Sequence, residues 1–197
     1  MKNTVKKIIL GLVLAAAVFI VLNSGFFAQN IRYMFRNNTP ASPAVNLAGG
    51  QAKAESDTLW ISSLGIKAPV KYVEESKESV FQEALRDGVV HFPGTAMPGQ
   101  PGNAYIFGHS SDYLWSKGNY KTVFALLPRI NKGAEIQITD HNGDLYTYIV
   151  TDTFVVAPND LSVLDQKNNE KKLLTLQTSY PVGTALKRYI VVAELKQ

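Results

Sequence analysis

The sequence contains no cysteine. Disulfides, zinc–thiolate sites, iron–sulfur clusters and thiol nucleophiles are therefore excluded for this chain. Histidine is also scarce, with three residues, so few side chains can act as a base near neutral pH. The only dense acidic group, Glu74, Glu75 and Glu78, is a weak candidate for calcium and is more typical of a solvated surface. The sequence therefore predicts no metal site, and no cofactor is expected.

Acidic residues are absent from residues 1–36, which carry five basic side chains. The remaining chain has 15 basic and 16 acidic side chains, so it is close to neutral. The formal net charge of +4 thus belongs to the N-terminal segment and not to a binding face. This distribution argues against nucleic acid as a partner.

An apolar stretch extends from Ile8 to Ala28, with one short polar interruption. Its 21 residues would form a helix of about 31 Å, enough to cross a bilayer. The alternative is a cleaved signal peptide, because residues 1–7 resemble a basic n-region. Cleavage after Ala28 would place Phe26 at the −3 position, where a small residue is required, so an uncleaved anchor is favoured. The basic residues predict a cytoplasmic N-terminus and a C-terminal part outside the cell membrane.

The chain divides into four segments. Residues 1–7 are a basic cytoplasmic tail, and residues 8–28 are the single transmembrane anchor. Residues 29–56 form a juxtamembrane segment and a flexible stalk, since they become rich in Asn, Pro, Ala, Gly and Ser and lack an apolar period. Residues 57–197 are the folded domain.

Short runs rich in Val, Ile, Tyr and Thr dominate the folded domain, separated by Gly, Pro, Asn or Asp. These runs are TLWIS, IKAPVKYV, VVHF, NAYIFG, AEIQIT, LYTYIVTDTFVVA, LLTLQT and YIVVAEL. Asn142-Gly143 between the fifth and sixth runs indicates a hairpin turn. About eight strands and few helices predict an all-β fold, a closed eight-stranded β-barrel that leaves no exposed sheet edge.

Helical signals are few. The segment SVFQEALRDG predicts one helix, with Ser79 and Gln82 as a capping box and Gly88 as the C-cap. The segments TVFALLP and NDLSVL have the length of single helical turns.

The three histidines lie in different contexts. His141 falls inside the Asn-Gly turn and is interpreted as a solvated loop residue. His91 ends a short strand, where a packing role is favoured over catalysis. His109 follows the apolar strand NAYIFG, and a buried strand that ends in an imidazole is a rigid support for an acid or base.

Ser179 also ends an apolar strand directly before a turn. On its own it is typical of a serine that bonds its own turn. Arg188 opens the next strand, and the ends of paired strands in a hairpin face each other. Its guanidinium could therefore stabilise an oxyanion beside Ser179, although a surface role is the alternative.

Two blocks of sequence carry a resemblance to a known family. GVVHFPGTAMPGQPGNAYIFGHSSDY matches "H-x-PGTA-x-PG…GN-x-x-I-x-GH", and TLQTSYPVGTALKRYIVVAEL matches "TL-x-TC-x-P-x-G…R-x-x-V-x-A". Over residues 57–197 the chain resembles the sortases, membrane-anchored cysteine transpeptidases of the bacterial surface. The resemblance implies that His109 and Arg188 are the family's histidine and arginine.

Ser179 departs from the family pattern, which has the nucleophilic cysteine at that position. The resemblance implies a Leu-Pro-x-Thr-Gly-type sorting-signal peptide as acyl donor and an amine of the cell envelope or a pilin as acceptor. It also implies that residues 157–170 form one wall of the peptide groove. Because an alcohol supplies almost no alkoxide, Ser179 would need a base oriented by a third group. Asp112 is a weak candidate for that group.

Four interpretations stay open at this point. The serine is a replacement in an otherwise active cysteine enzyme, or the chain is a divergent, inactive member that binds sorting peptides. Alternatively, it is a working serine acyltransferase or peptidase with His109 as base. The fourth is an adhesive or structural β-domain without a reaction, in which His109, Ser179 and Arg188 would lie apart.

Overall fold

The computed structural model describes residues 2–22, 24–35, 55–112, 115–166 and 170–196. Eight strands close into a barrel in the order β1-β2-β3-β4-β7-β8-β6-β5. The strands are β1 Thr58–Ile61, β2 Ile66–Tyr72, β3 Val89–His91, β4 Gly102–Phe107, β5 Glu135–Thr139, β6 Leu145–Val156, β7 Lys172–Tyr180 and β8 Lys187–Leu195. The predicted all-β, eight-stranded closed barrel is confirmed.

The pairing of the strands places distant segments side by side. β2 pairs with β3 and β4 pairs with β7 in parallel, while the other neighbours are antiparallel. The parallel β4–β7 pair runs from Gly102 opposite Lys172 to Phe107 opposite Gln177. As a result, the carboxyl ends of β4 and β7 meet at one edge. His109 follows the last residue of β4 by two positions, and Ser179 is the penultimate residue of β7, one position before the strand end that the sequence predicts.

The barrel interior is filled by alternate residues of the strands, as the period of two requires. Leu174 and Leu176 of β7 and Val191 and Ala193 of β8 are fully buried in it. Ile106 of β4 joins the same cluster. The intervening residues of these strands point outward, away from the core.

The β5–β6 hairpin has the turn that Asn142-Gly143 predicts. The Asp140 carboxylate accepts hydrogen bonds from the backbone N–H groups of Asn142 and Asp144, each at 2.9 Å. Gly143 has a φ of +79°, a conformation that glycine adopts without a steric cost.

Helix α3 spans Glu78–Leu85, and its predicted capping box is wrong. The N-cap is Lys77, and the Gln82 amide donates to the Glu78 carboxylate at 2.6 Å instead of closing a box. The predicted C-cap at Gly88 is wrong too, because the helix ends at Leu85 and its C-cap is Arg86. Gly88 has another role: a Cβ there would lie 2.2 Å from the Pro69 carbonyl oxygen, so glycine allows close contact with β2.

The two predicted single turns form as short 3₁₀ turns. One spans Leu127–Arg129 and the other spans Ser162–Leu164. The second belongs to the segment that connects β6 with β7.

Two helices precede the barrel, α1 (Lys2–Leu22) and α2 (Ser24–Phe35). Within α1, Asn3–Val21 is long and apolar enough to cross a membrane, and none of this window is buried against the barrel. The predicted boundaries at residues 28 and 56 stay predictions. Most of the predicted stalk, residues 36–54, lies outside the described residues.

Helix α2 packs on the outside of the barrel. The Gln29 amide donates a hydrogen bond to the Thr122 hydroxyl at 2.7 Å. The Arg129 guanidinium lies over the Tyr33 ring, 5.3 Å from its centroid. Helix α2 is thus joined to Thr122 and to Arg129, the last residue of the 3₁₀ turn Leu127–Arg129.

Candidate active site

A groove of about 290 Å³ lies on the outer face of the barrel, at the carboxyl ends of β4 and β7. Helix α3 forms one side of it, and the segment between β6 and β7 forms another. Its apolar lining consists of Phe81, Leu85, Phe92, Phe107, Leu161, Val163 and Leu164. Aromatic packing holds α3 in place, because the Phe81 ring lies 5.0 Å from that of Phe107 and 5.7 Å from that of Phe92.

The groove also contains His109, Ser179 and Arg188, the three candidates from the sequence. Ser179 and Arg188 are direct partners in the β7–β8 ladder, so both side chains project from the same face. The Arg188 guanidinium donates to the backbone carbonyls of Ala185 and Lys187, at 3.1 and 3.2 Å. These bonds hold the cation at the end of the hairpin, beside the serine.

His109 is fixed through its backbone. Its carbonyl accepts a hydrogen bond from the Phe124 N–H at 2.9 Å. A Cβ on the preceding residue, Gly108, would lie 2.8 Å from the Phe124 ring, so glycine permits this packing. The histidine is therefore mounted on the end of β4 and on the segment that α2 contacts.

The electrostatics of His109 favour a neutral ring. Burial lowers the pKa of His109, and the charges of Asp112 and Glu78 oppose that shift. A neutral imidazole at pH 7 has the free nitrogen that a general base requires. Among the described residues, no hydrogen bond joins the His109 ring to the Ser179 hydroxyl; such contacts commonly tighten only when substrate binds.

A family model, the Sortase domain, matches residues 59–196. The chain belongs to the sortase family. Sortase A of Listeria monocytogenes is 31% identical over 97 residues, covering 44% of this chain and 42% of that protein. The aligned part therefore spans less than half of this relative.

Solved sortase structures support the same assignment. The sortase D5 transpeptidase of Clostridium perfringens is 30% identical, with a TM-score of 0.58, covering 71% of this chain and 78% of that one. Sortase C-1 of Actinomyces oris is 25% identical, with a TM-score of 0.59, covering 71% and 72%. The sortase domain thus accounts for the whole barrel.

The wall that the sequence predicts at residues 157–170 is present in this sortase domain, within the part that the structure describes. Pro158, Asp160 and Leu161 line the groove together with the 3₁₀ turn. Gln166 anchors this segment, since its amide nitrogen donates to the Asn103 carbonyl at 3.0 Å and its oxygen accepts from the Asn103 N–H at 3.1 Å. The Asn103 side chain in turn donates to the Val163 carbonyl at 3.1 Å.

A further hydrogen bond joins the turn after β7 to the segment that follows His109. The Gly183 N–H, in the turn after Ser179, donates to the Ser111 hydroxyl at 3.1 Å. Asp112, the candidate orienting carboxylate, accepts a hydrogen bond from the Ser116 hydroxyl at 2.9 Å. It influences His109 through its charge.

The other two histidines of the sortase domain lie outside the groove lining. His91 is buried, and its Nε2 lies 2.9 Å from the Ala96 carbonyl oxygen. His141 is exposed and pairs through Nδ1 with the Asp57 carboxylate at 2.6 Å. Both positions agree with the structural interpretation of these residues.

Sequence reasoning missed several polar residues that line the groove, among them Glu78, Tyr105 and Gln177. Glu78 was grouped with Glu74 and Glu75 as a solvated cluster, but it lies near His109. Within the described residues, no three histidine or acidic side chains are placed to hold a metal ion. Tyr105 and Gln177 were detectable, because counting back in steps of two from His109 and Ser179 along their strands reaches them.

Proposed function

We propose that this sortase domain forms an acyl-enzyme with a Leu-Pro-x-Thr-Gly-type sorting peptide and passes the acyl group to an amine of the cell envelope or a pilin. The observation that carries the proposal is the shared groove, in which Ser179 and Arg188 are ladder partners and His109 lines the same surface. The apolar wall of the groove suits the Leu and Pro side chains of such a signal.

The chemistry follows from the roles of these three groups. The Ser179 hydroxyl attacks the scissile carbonyl while the neutral His109 ring takes its proton. Arg188 stabilises the oxyanion, which collapses as the protonated His109 gives its proton to the departing amine. An ester on Ser179 results. The acceptor amine then attacks this ester and loses a proton to His109, and the serine is released as its hydroxyl.

Serine makes this cycle slow compared with cysteine. A thiol with a pKa of about 8.5 provides some thiolate at neutral pH, whereas an alcohol depends wholly on its base. The alternative function is a binding module that holds the sorting peptide without turnover. The specific observation behind it is that, in the described residues, the His109 ring makes no hydrogen bond to Ser179.

Exchange of the nucleophile tests the proposal. The full-length chain in detergent micelles is given a fluorogenic sorting peptide and a glycine-based amine, as the unchanged protein and as Ser179→Cys and Ser179→Ala. We expect Ser179→Cys to transfer the acyl group on the order of 100-fold faster than the unchanged protein, or more. Ser179→Ala gives the background rate.

Three results decide the assignment. Turnover by the unchanged protein above the Ser179→Ala background supports the proposed serine acyltransferase. If the cysteine form neither cleaves nor binds any sorting peptide, the proposed function is wrong. If only the cysteine form turns over and the unchanged protein binds, the binding module is supported.

We also propose that α1 anchors the chain by a single span in the cell membrane, with the sortase domain outside the cytoplasm. The support is the exposed apolar window Asn3–Val21 and the basic residues at its N-terminal end, Lys2, Lys6 and Lys7. Protease added to intact cells should remove the domain, and a domain protected until the membrane is broken would contradict this topology.

A further inference from the structure

Within the described residues, two acidic side chains line the groove, and they lie on different walls. Glu78 belongs to the first turn of α3, whereas Asp160 belongs to the segment between β6 and β7. The Asp160 carboxylate is engaged in its own segment, because it accepts hydrogen bonds from the Ser162 N–H at 3.0 Å and from the Ser162 hydroxyl at 2.6 Å. Asp160 therefore stabilises the second 3₁₀ turn, and Glu78 is left as a groove carboxylate that the proposed reaction does not use.

The Glu78 carboxylate has an oxygen left for a ligand and lies close to His109. Its Oε1 accepts a hydrogen bond from the Gln82 amide at 2.6 Å, and among the described residues its Oε2 has no such bond. Burial lowers the pKa of His109, and the negative charges of Asp112 and Glu78 oppose that shift, so the charge of Glu78 reaches the imidazole. Of these two acids, Glu78 is the one that lines the groove.

The acceptor of the proposed reaction arrives as a cation. An α-amino group, with a pKa of about 8, and a lysine side chain, with a pKa of about 10.4, are mostly protonated at neutral pH. Attack by the acceptor nitrogen is the reverse of the departure of the leaving amine, so both nitrogens lie on the side of the acyl carbonyl where His109 gives and takes their proton. A carboxylate on that side attracts an ammonium, because opposite charges a few ångströms apart attract each other even in water.

We propose that Glu78 binds the protonated acceptor amine and holds it beside His109, where the amine competes with water for the acyl-enzyme. This inference rests on the proposed function and assigns the wall of the groove that receives the acceptor. The bound ammonium first releases one proton to water. The neutral nitrogen then forms the new C–N bond and loses a second proton to His109, and the bond from the acyl carbon to Ser179 breaks as the serine oxygen takes that proton. Water carries no charge, so Glu78 favours transfer to an amine over hydrolysis.

The test compares a charged with an uncharged acceptor at one pH near neutrality. The full-length Ser179→Cys protein in micelles is given a sorting peptide and either glycinamide, which is largely an ammonium, or hydroxylamine, which is largely uncharged. Glu78→Gln removes the charge and keeps a side-chain oxygen for the bond from Gln82. We expect it to lower the ratio of kcat/KM for glycinamide to that for hydroxylamine about 5-fold, the effect of losing an exposed ion pair.

Glu74→Gln is the matched control, because Glu74 is an exposed acid shortly before α3 and lies outside the groove lining. It should leave the ratio between the two acceptors unchanged. A ratio that falls by the same factor in Glu74→Gln or in Asp160→Asn would overturn the assignment to Glu78, since surface charge in general would then attract the amine.

The ratio separates binding of the amine from damage to α3 or to His109, because such damage would lower transfer to both acceptors alike. If both acceptors are used and Glu78→Gln leaves the ratio unchanged, this inference is wrong and the proposed function stands. If no form cleaves or binds the sorting peptide, both are wrong.

Discussion

The inward and outward faces of β4, β7 and β8 differ in chemistry although they alternate along the same strands. The inward face presents Ile106, Leu174, Leu176 and Val191, all fully buried in the barrel core. The outward face presents His109 beyond β4, and Gln177, Ser179 and Arg188 on the two paired strands. One strand therefore supplies both the core and the groove.

This difference separates the residues that hold the fold from those that line the groove. A change of volume on the inward face leaves a cavity in a closed barrel, because the surrounding strands are fully paired. A change of chemistry on the outward face alters the groove and leaves the core intact. Serine at position 179, where the family pattern is expected to have cysteine, belongs to the outward face, so this departure leaves the residues of the core unchanged.

Leu176 and Gln177, which are neighbours in β7, give the largest expected difference in the free energy of unfolding. Leu176→Ala should lower the free energy of unfolding by about 2–5 kcal/mol, because a fully buried side chain is lost from the barrel core. Gln177→Ala should lower it by about 1 kcal/mol, because only the hydrogen bond from Tyr105 is lost. Denaturant unfolding of the full-length protein in micelles measures both, and equal losses would show that the two faces are not distinct.

The buried His91 and the half-buried His109 extend this contrast between the two faces to the effect of pH. His91 shares the inward face with Ile106, its ladder partner, whereas His109 lies in the groove. Burial lowers the pKa of both. Unfolded imidazoles titrate near pH 6.5, so below about that pH the unfolded chain binds protons that the folded chain does not, and stability falls as the pH falls.

We therefore expect the free energy of unfolding to decrease from pH 7 to pH 5. His91→Asn should reduce this slope, and it should not move the pH profile of peptide turnover. Turnover should decline with acidity as His109 gains a proton and ceases to be a base. A turnover profile that shifts with His91→Asn would show that this residue acts on the site, against its assignment to the core.

Strand ends were the part of the site that the sequence could predict. His109 and Ser179 each follow an apolar run and precede a turn, and Arg188 opens the strand that a short turn returns to the same edge. Such positions are indicated by local patterns of two or three residues, and these patterns can be recognised without knowledge of the rest of the chain. The eight strands were predictable for the same reason, although the closure between β1 and β5 followed only from the general need to cover sheet edges.

Contacts between distant segments were not predictable. Gln166 binds the backbone of Asn103 across 63 residues, and Gln29 binds Thr122 across 93 residues. The residues around a glutamine in a polar segment do not indicate which distant residue it binds. The capping box at Ser79 failed for a related reason: the N-cap is Lys77, two residues earlier, and Gln82 binds Glu78 on the helix surface.

The smallest expected effect concerns the attachment of α2 to the barrel. A hydrogen bond from Gln29 contributes to that attachment, whereas α3 is held by packing of the Phe81 ring. Gln29→Ala removes the bond to the Thr122 hydroxyl, worth about 1 kcal/mol, so amide exchange in α2 should accelerate about 5-fold. Met34→Ala, on the exposed side of α2, is the matched control and should change exchange little.

The same substitution tests whether α2 supports His109. The Phe124 N–H, two residues beyond Thr122, donates to the His109 carbonyl, so faster exchange in Gln29→Ala should extend to the Phe124 amide. Acceleration limited to α2 would show that the helix is attached to the domain without supporting the histidine.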